Sequence, residues 1–421
     1  MPRLLLLLPT TTYRAEAFLD AARTLDLDVT VGSESQSEVR ASAEFLPLSF
    51  RDLETARRRV LEFARTYPVA AVVGVDDQTA LAAAALSQTL ALPHNSIASV
   101  AAARNKQRMR ELLRARAVPV PPHTVFPIDE DPARAAAHVQ FPCVLKPLTL
   151  SASCGVIRAN DQVEFASAFG RIVALLRQLG LPDREEAGAS ILAEDFLPGR
   201  EVALEGLLTR GVLSVLALFD KPDPLNGPYF EETIYVTPSR LAPATQADIT
   251  ARAAQAAEAL GLREGPLHGE FRINDRGVWV LEVAARSIGG RCSRTLHFAA
   301  GMSLEELILR HALGMEVGAI ERKPGAAGVM MLPIPRAGML LEVHGEAEAL
   351  AIPGIAEVEI TAQPGECLVP LPEGTRYLGF IIARGRLPEE VEAALREAHR
   401  RLEFVIADAP AQALRSVTMR F

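Results

Sequence analysis

Apolar residues in the first hundred positions fall into two kinds of segment. Short continuous runs at residues 4–8, 29–31 and 69–75 read as buried strands. Between and after them, residues 13–25, 52–66 and 79–90 carry their apolar positions on one stripe, or are rich in alanine, and read as helices. Continuous apolar strands alternating with amphipathic helices predict a doubly wound parallel α/β domain. The first strand runs into Pro9, Thr10, Thr11 and Thr12 instead of GxGxxG, so the standard dinucleotide fingerprint is absent.

A helix over 105–115 ends before Val118, Pro119, Val120, Pro121 and Pro122, a proline cluster that predicts a boundary. Beyond it the pattern changes to isolated strands at 143–146, 191–196, 201–208, 212–219, 267–273 and 278–283, several joined by tight turns. That pattern implies an α+β region with antiparallel sheets. A second proline- and glycine-containing passage at 323–328 precedes strands at 329–333, 358–360 and 377–383 and a helix over 388–404. The expected units are an α/β domain (1–115), a small lobe (116–205), a larger lobe (206–320) and a C-terminal α+β subdomain (321–421).

Composition narrows the function classes. With 421 residues, 49% apolar and 23% charged, the chain has enough apolar content for several cores. A net charge of -8 argues against nonspecific nucleic-acid or anionic-membrane binding, yet a local cluster of amides and lysines can still hold phosphates. The four scattered cysteines form no metal-ligand spacing and read as thiols in a reducing compartment. The apolar run 4–8 is too short for a signal peptide and lacks a small-residue cleavage site, and no segment reaches membrane-spanning length. A cytoplasmic protein is expected, with a two-fold homodimer as the base-rate assembly.

The segment from Leu267 to Val283 carries the strongest chemical signal. Two alternating runs flank Asn274, Asp275, Arg276 and Gly277, the pattern of a hairpin. A three-residue loop, 275–277, pairs Asn274 with Val278 and sets Glu270 opposite Glu282 on one face. Cβ atoms so placed lie ~5 Å apart, and the two charges repel. A divalent cation offsets that repulsion, because Mg²⁺ and Mn²⁺ take carboxylate oxygens together with substrate phosphates. A two- or four-residue loop would send the glutamates to opposite faces. The competing expectation is a solvated face where each glutamate pairs with an arginine such as Arg272 or Arg286.

Other segments suit a polyanion. Lys146 ends an apolar strand and precedes Ser151, Ala152, Ser153, Cys154 and Gly155, small residues whose amides and hydroxyls can approach phosphate oxygens; a Walker A loop is absent. Residues 193–205 read as strand, turn, strand, where a strand edge can meet a nucleobase and Glu201 can accept from ribose hydroxyls, though a row of exposed glutamates is the competing reading. Lys106 opens a helix. Arg286, beside Gly289 and Gly290, suits a fork for phosphoryl or carboxylate oxygens, with Arg291 and Arg294 as alternatives.

This order of elements resembles the ATP-grasp superfamily, and within it the carboxylate–amine and amino-acid ligases, over nearly the whole chain. The resemblance implies ATP bound between two lobes with Mg²⁺ or Mn²⁺. It makes Lys106 and Lys146 the phosphate lysines and residues 151–155 the loop that closes over the phosphates. Glu194 with the backbone near Phe196 becomes the adenine hinge, Glu201 the ribose ligand, Glu270 and Glu282 the metal ligands, and Arg286 the arginine of E-x-N-x-R. Two positions depart from the pattern: Ala284 stands where asparagine is usual, and the loop reads SASCG with less glycine than in relatives.

The implied reaction is attack of a substrate carboxylate, an amino acid or another small acid, on the γ-phosphorus of ATP. An amine then displaces phosphate from the acylphosphate. Lys146 and Arg286 stabilise developing charge, and His268 orients or deprotonates the amine. Glu205, Gly289, Gly290 and Arg294 are candidate substrate contacts. The alternatives are an enzyme of purine-biosynthesis or carboxylase type that phosphorylates formate or bicarbonate, and a catalytically silent nucleotide-binding protein.

Overall fold

The computed structural model describes residues 2–10, 12–34, 44–298, 301–318 and 320–409. Thr11 of the stretch after the first strand, and residues 410–421 of the last expected unit, lie outside them. The first strands are Arg3–Leu7 (β1), Asp28–Ser33 (β2), Glu44–Pro47 (β3) and Val69–Gly74 (β4), and all their pairings are parallel in the order β3-β2-β1-β4. Helices Ala15–Thr24 (α1), Leu53–Thr66 (α2) and Asp77–Thr89 (α3) connect or follow these strands. Leu4 through Leu8 have no exposed surface. The run expected as a buried strand is therefore the centre of this sheet, with cores on both faces.

Helices Ile97–Arg104 (α4) and Lys106–Ala115 (α5) lead through the proline cluster to a four-stranded antiparallel sheet. Its strands are His123–Pro127 (β5), Cys143–Pro147 (β6), Ile157–Ala159 (β7) and Ser190–Asp195 (β8), in the order β5-β8-β6-β7. Helices Pro132–Ala136 (α6) and Gln162–Gln178 (α7) cover it.

A larger sheet contains Arg200–Thr209 (β9), Val212–Asp220 (β10), Ile234–Thr237 (β11), Gly265–Asn274 (β12), Gly277–Ala284 (β13), Ala326–Leu332 (β14), Ile355–Ile360 (β16) and Gly379–Gly385 (β18). Its order is β13-β12-β9-β10-β11-β14-β18-β16. It runs through both of the last two expected units and begins at residue 200, so one sheet spans the boundaries expected at 205 and 320. Strands Gly338–His344 (β15), Cys367–Leu368 (β17) and Glu403–Ala407 (β19) form a small separate sheet. Helices Pro243–Leu260 (α8), Leu304–Ala312 (α9) and Pro388–Arg401 (α10) pack on the large sheet.

Glu270 pairs with Glu282 as expected, but by a different route. The loop has two residues, since Asn274 pairs with Gly277, and Gly277 takes φ 115. A bulge then intervenes: Phe271 pairs with Val280 and Glu270 with Glu282, leaving Leu281 as the extra residue. A bulge inserts one residue into a strand and so reverses which face the following side chains take. The two-residue loop alone would separate the glutamates, and the bulge at Leu281 brings them back together.

That bulge has a support. Arg110, on α5 and fully buried, donates from Nη2 to the Leu281 carbonyl at 2.5 Å and from Nε to Glu194 Oε1 at 2.5 Å. One guanidinium thus ties α5 to the bulged strand and to the end of β8. Removing one member of a buried pair leaves the other charge uncompensated, a loss of about 3–5 kcal/mol. Arg110→Met is expected to lower unfolding free energy by about 3 kcal/mol, measured by urea denaturation. A change within experimental error contradicts the role given to this tie.

Candidate active site

The sheets meet around one cavity of about 1650 Å³. Its wall includes Lys106, Lys146, Ser151, Ser153, Glu194, Phe196, Glu201, His268, Glu270, Glu282, Arg286, Gly289 and Gly290. Residues chosen from segments nearly two hundred positions apart therefore converge on one space.

Lys146, on β6, reaches Glu194 Oε2 at 2.6 Å, and Arg110 occupies Oε1 of the same carboxylate. Burial alone would raise the Glu194 carboxyl, but Arg110 and Lys146 outweigh it and hold it at about 2. The Glu194 side chain therefore anchors Lys146 on the cavity wall. Phe196 lines the cavity as well. Its N–H donates to the Pro142 carbonyl at 3.0 Å, and its ring lies under the Arg158 guanidinium at 4.1 Å. The next N–H along, that of Leu197, has no backbone partner among the described residues.

Lys106 is 5% exposed, not solvated as helix-start lysines usually are. Its ammonium donates to the Leu150 carbonyl at 2.7 Å and lies 3.6 Å from Glu282 Oε2, linking the small-residue loop to the paired glutamates. In that loop Ala152 and Ser153 take φ 54 and 55, and Gly155 takes φ 70. The Gly155 N–H donates to the Pro372 carbonyl at 2.7 Å, so it is not a phosphate donor. A Cβ on Gly155 would lie 2.7 Å from Pro147 Cγ, which explains the glycine.

Glu201 and Glu205 are 9% and 0% exposed, because β9 lies between β10 and β12 in the middle of the large sheet. Sequence alternation alone had favoured an exposed row. Glu201 contacts Lys221 at 2.8 Å and Arg272 at 2.5 Å. Glu205 is absent from the cavity wall. Its Oε2 accepts from the Ile288 N–H at 2.9 Å and lies 3.6 Å from His268 Nδ1, so it holds the 287–290 loop and the histidine and does not reach a substrate ammonium. His268 sits between Glu205 and Glu270, whose Oε1 is 3.7 Å from its Nε2. Burial pulls its pKa down, but both carboxylates outweigh this and raise it. A histidine so placed favours its charged form, which weakens it as a base towards an amine.

Arg286 Nε pairs with Asp77 Oδ2 at 2.8 Å, across from the N-terminal domain. Arg272 pairs with Glu201, so neither arginine covers the paired glutamates, and the solvated-face expectation falls. Arg294 pairs with Glu357, with its guanidinium 39% exposed and outside the cavity wall, which removes it as a substrate contact. The Gly290 N–H donates to the Tyr13 hydroxyl at 2.8 Å.

Two residues beside the paired glutamates, Lys221 and Glu232, escaped sequence reading, and Glu232 lines the cavity. Lys221 lies between Glu201 (2.8 Å), Glu270 (3.0 Å) and Glu232. Carboxylate oxygens of Glu201, Glu232 and Glu270 all lie within 4.8 Å of one another. Burial pushes Glu232 up to about 7, while Lys221 overcomes burial and holds Glu270 well below the carboxylate range. The available signal was Lys221 one residue beyond the apolar run 212–219, a pattern close to the one that marked Lys146. These are hard oxygen donors on a cavity wall, and Glu270 and Glu282 oppose each other across β12 and β13, so the residues fit a Mg²⁺ or Mn²⁺ ion. Ala284, 4% exposed, adds no oxygen.

Three family models match successive parts of the chain: the ATP-grasp N-terminal domain over residues 19–94, the ATP-grasp domain over 139–295, and the L-amino acid ligase C-terminal domain 2 over 330–407. The chain belongs to the ATP-grasp superfamily. An L-amino acid ligase from Bacillus licheniformis has a similar structure, with TM-score 0.80 and 25% identity, covering 97% of this ATP-grasp chain and 99% of that one. An uncharacterized protein of Sinorhizobium fredii is 24% identical over 91% of this chain and 79% of its own length. The alanine–anticapsin ligase of Bacillus subtilis is 27% identical over 49% of this chain, a match that spans 46% of that ligase. Among the described residues no helix is long and apolar enough to cross a membrane.

The depressed Glu194 carboxyl gives a pH signature. Its stabilisation is complete above the ordinary value of 4.5 and is lost as pH falls towards about 2. Denaturation midpoints of the wild type are expected to fall across that window, and those of Glu194→Gln to fall less. Parallel acid profiles for the two proteins contradict the assignment.

Proposed function

We propose that this chain is an ATP-dependent carboxylate–amine ligase that activates an amino acid's carboxylate and joins it to the amine of a second small molecule. The observation that carries this reading is the convergence of Lys106, Lys146 and Arg286 with the opposed Glu270 and Glu282 on one cavity wall, with Lys221 paired to Glu270. The match of residues 330–407 to an L-amino acid ligase domain supports an amino acid as the acid. The four unpaired cysteines support a reducing, cytoplasmic setting.

Carboxylate oxygen is a poor leaving group, so amide formation needs prior activation. The substrate carboxylate attacks the γ-phosphorus of ATP and ADP departs. The amine then attacks the acyl carbon, loses a proton and expels phosphate. Lys106 and Lys146 hold phosphate oxygens, while Arg286 stabilises charge on the transferring group and Lys221 positions Glu270. Ser151 and Ser153 add hydroxyls at the loop. The end of β8 and the Leu197 N–H suit the adenine, and Glu201 suits the ribose because its carboxylate has lone pairs beyond those used by Lys221 and Arg272. Mg²⁺ or Mn²⁺, held by Glu270 and Glu282, supplies neutralisation of the phosphoryl oxygens. Gly289 and Gly290, beside Arg286, suit a close approach of the reacting carboxyl.

The direct test mixes ATP with pooled amino acids and other small carboxylates, measures phosphate release and identifies products by mass. Phosphate release that depends on both an acid and an amine, with one amide formed, is expected. ATP binding without acid-stimulated turnover in any mixture overturns the ligase reading in favour of a silent protein. Glu282→Ala is expected to abolish Mg²⁺-dependent turnover while leaving the thermal transition in place, and turnover at the wild-type rate rules out Glu282 as a metal ligand.

A further inference from the structure

We propose that Arg171 and Glu373 are positioning residues that clamp the small-residue loop 149–155 against the C-terminal region and keep water from the activated carboxyl. The consequence for chemistry rests on the ligase reading above; the clamp itself rests on geometry alone.

The loop is poorly equipped to hold its own shape. Two consecutive residues with side chains, Ala152 and Ser153, stand in the left-handed region at φ 54 and 55. L residues leave that region unless their surroundings hold them there. Its internal hydrogen bonds, Cys154 N to Ser151 O and Val156 N to Ser153 O, are long at 3.2 and 3.1 Å. The shorter bond goes outside, from Gly155 N to the Pro372 carbonyl at 2.7 Å, and the Cys154 thiol points at the Glu373 carbonyl at 3.8 Å.

The other side of this contact is a tight turn. Gly374 N donates to Pro370 O at 2.9 Å, and a Cβ on Gly374 would lie 1.8 Å from the Val369 carbonyl oxygen. The turn therefore acts as a stiff post to which the loop is fixed. Arg171, on α7 of the same small lobe as the loop, grips the post through one guanidinium edge and Tyr229 through its remaining nitrogen. Nη2 meets Glu373 Oε2 at 2.8 Å, Nε meets Oε1, and Nη1 meets the Tyr229 hydroxyl. The guanidinium also lies 5.2 Å over the Tyr229 ring. Bidentate arginine–carboxylate pairs fix orientation as well as distance. Loop residues Ser151 and Ser153 and post residues Val369 and Glu373 line the same cavity, so parting the two opens that cavity to solvent.

An acylphosphate exposed to water is hydrolysed: water oxygen bonds to the acyl carbon, the bond from that carbon to the bridging phosphate oxygen breaks, and carboxylate, phosphate and protons result without amide. Excluding water prevents that side reaction. A weakened clamp therefore changes the ratio of phosphate released to amide formed. A merely structural defect lowers both together and leaves the ratio alone.

The test uses the full chain as wild type, Glu373→Ala, Glu373→Gln and the charge swap Arg171→Glu with Glu373→Arg. Amide hydrogen exchange over residues 149–156 is expected to speed by about fivefold in Glu373→Ala. The alanine variant is also expected to release severalfold more phosphate per amide than the wild type. Glu373→Gln should fall between, and the swap should restore both values. Unchanged exchange overturns the clamp. Faster exchange with an unchanged phosphate-to-amide ratio overturns its role in excluding water. A wild type that forms no amide with any acid and amine overturns the ligase reading instead, and the exchange measurement still decides the clamp.

Discussion

The structure depends on a buried guanidinium. Arg110 holds Glu194, which holds Lys146, and with its other edge Arg110 holds the Leu281 carbonyl at the bulge that turns Glu282 to the side of Glu270. One side chain thus fixes a phosphate lysine in the small lobe and a metal carboxylate in the large sheet. A buried charge of this kind is tolerable only when its partners are complete. The same completeness makes the tie exacting: the spacing between the two lobes' chemical groups follows from where one helix, α5, sits.

A second set of charges is arranged around Lys221. Its ammonium is shared by Glu201, Glu232 and Glu270, and Glu201 in turn holds Arg272. His268 and Glu205 extend the chain of contacts to the Ile288 N–H and so to the glycine loop beside Arg286. Acids from β9 and β12 alternate with Lys221, just past β10, and with bases from β12, so the charges of neighbouring segments answer each other. The excess of carboxylates around Lys221 leaves room for further positive charge.

Much of this was legible in the sequence because it depends on local periodicity. The buried run 4–8, the alternating strands and the residues of the hairpin all follow from period and turn chemistry. The opposition of Glu270 and Glu282 was reached with the wrong loop: a bulge compensates a one-residue error in loop length, and nothing in the residues 278–283 marks a bulge. The helices at 162–178, 243–260 and 304–312 went unread amid the strand signals of that region. Burial of Glu201 and Glu205 was illegible for a different reason. Whether a strand is central or at an edge depends on which strands flank it, and β12, its neighbour on one side, lies more than fifty residues further along. Arg110 was missed because its partners are still more remote in sequence, and Lys221 because its three acids come from three separate segments.

The pairing of Lys106, Lys146, Lys221 and Arg286 with acids bears on how a strongly anionic ligand is received by a chain of net charge -8. A lysine left unpaired in a part-buried wall is costly. Lys106, Lys146, Lys221 and Arg286 are each held by a carboxylate: Glu282, Glu194, the trio around Lys221, and Asp77. A polyphosphate that enters must compete for those cations, and the displaced carboxylates then need positive charge of their own. Glu282 and Glu270 are the two that stand opposite each other at the cavity wall, so a divalent cation arriving with the phosphates answers both requirements at once. On this view nucleotide and metal bind best together, because each restores the neutrality that the other disturbs. Glu194 stands apart: Arg110 remains with it whatever Lys146 does, so the anchor persists while the lysine turns to a phosphate.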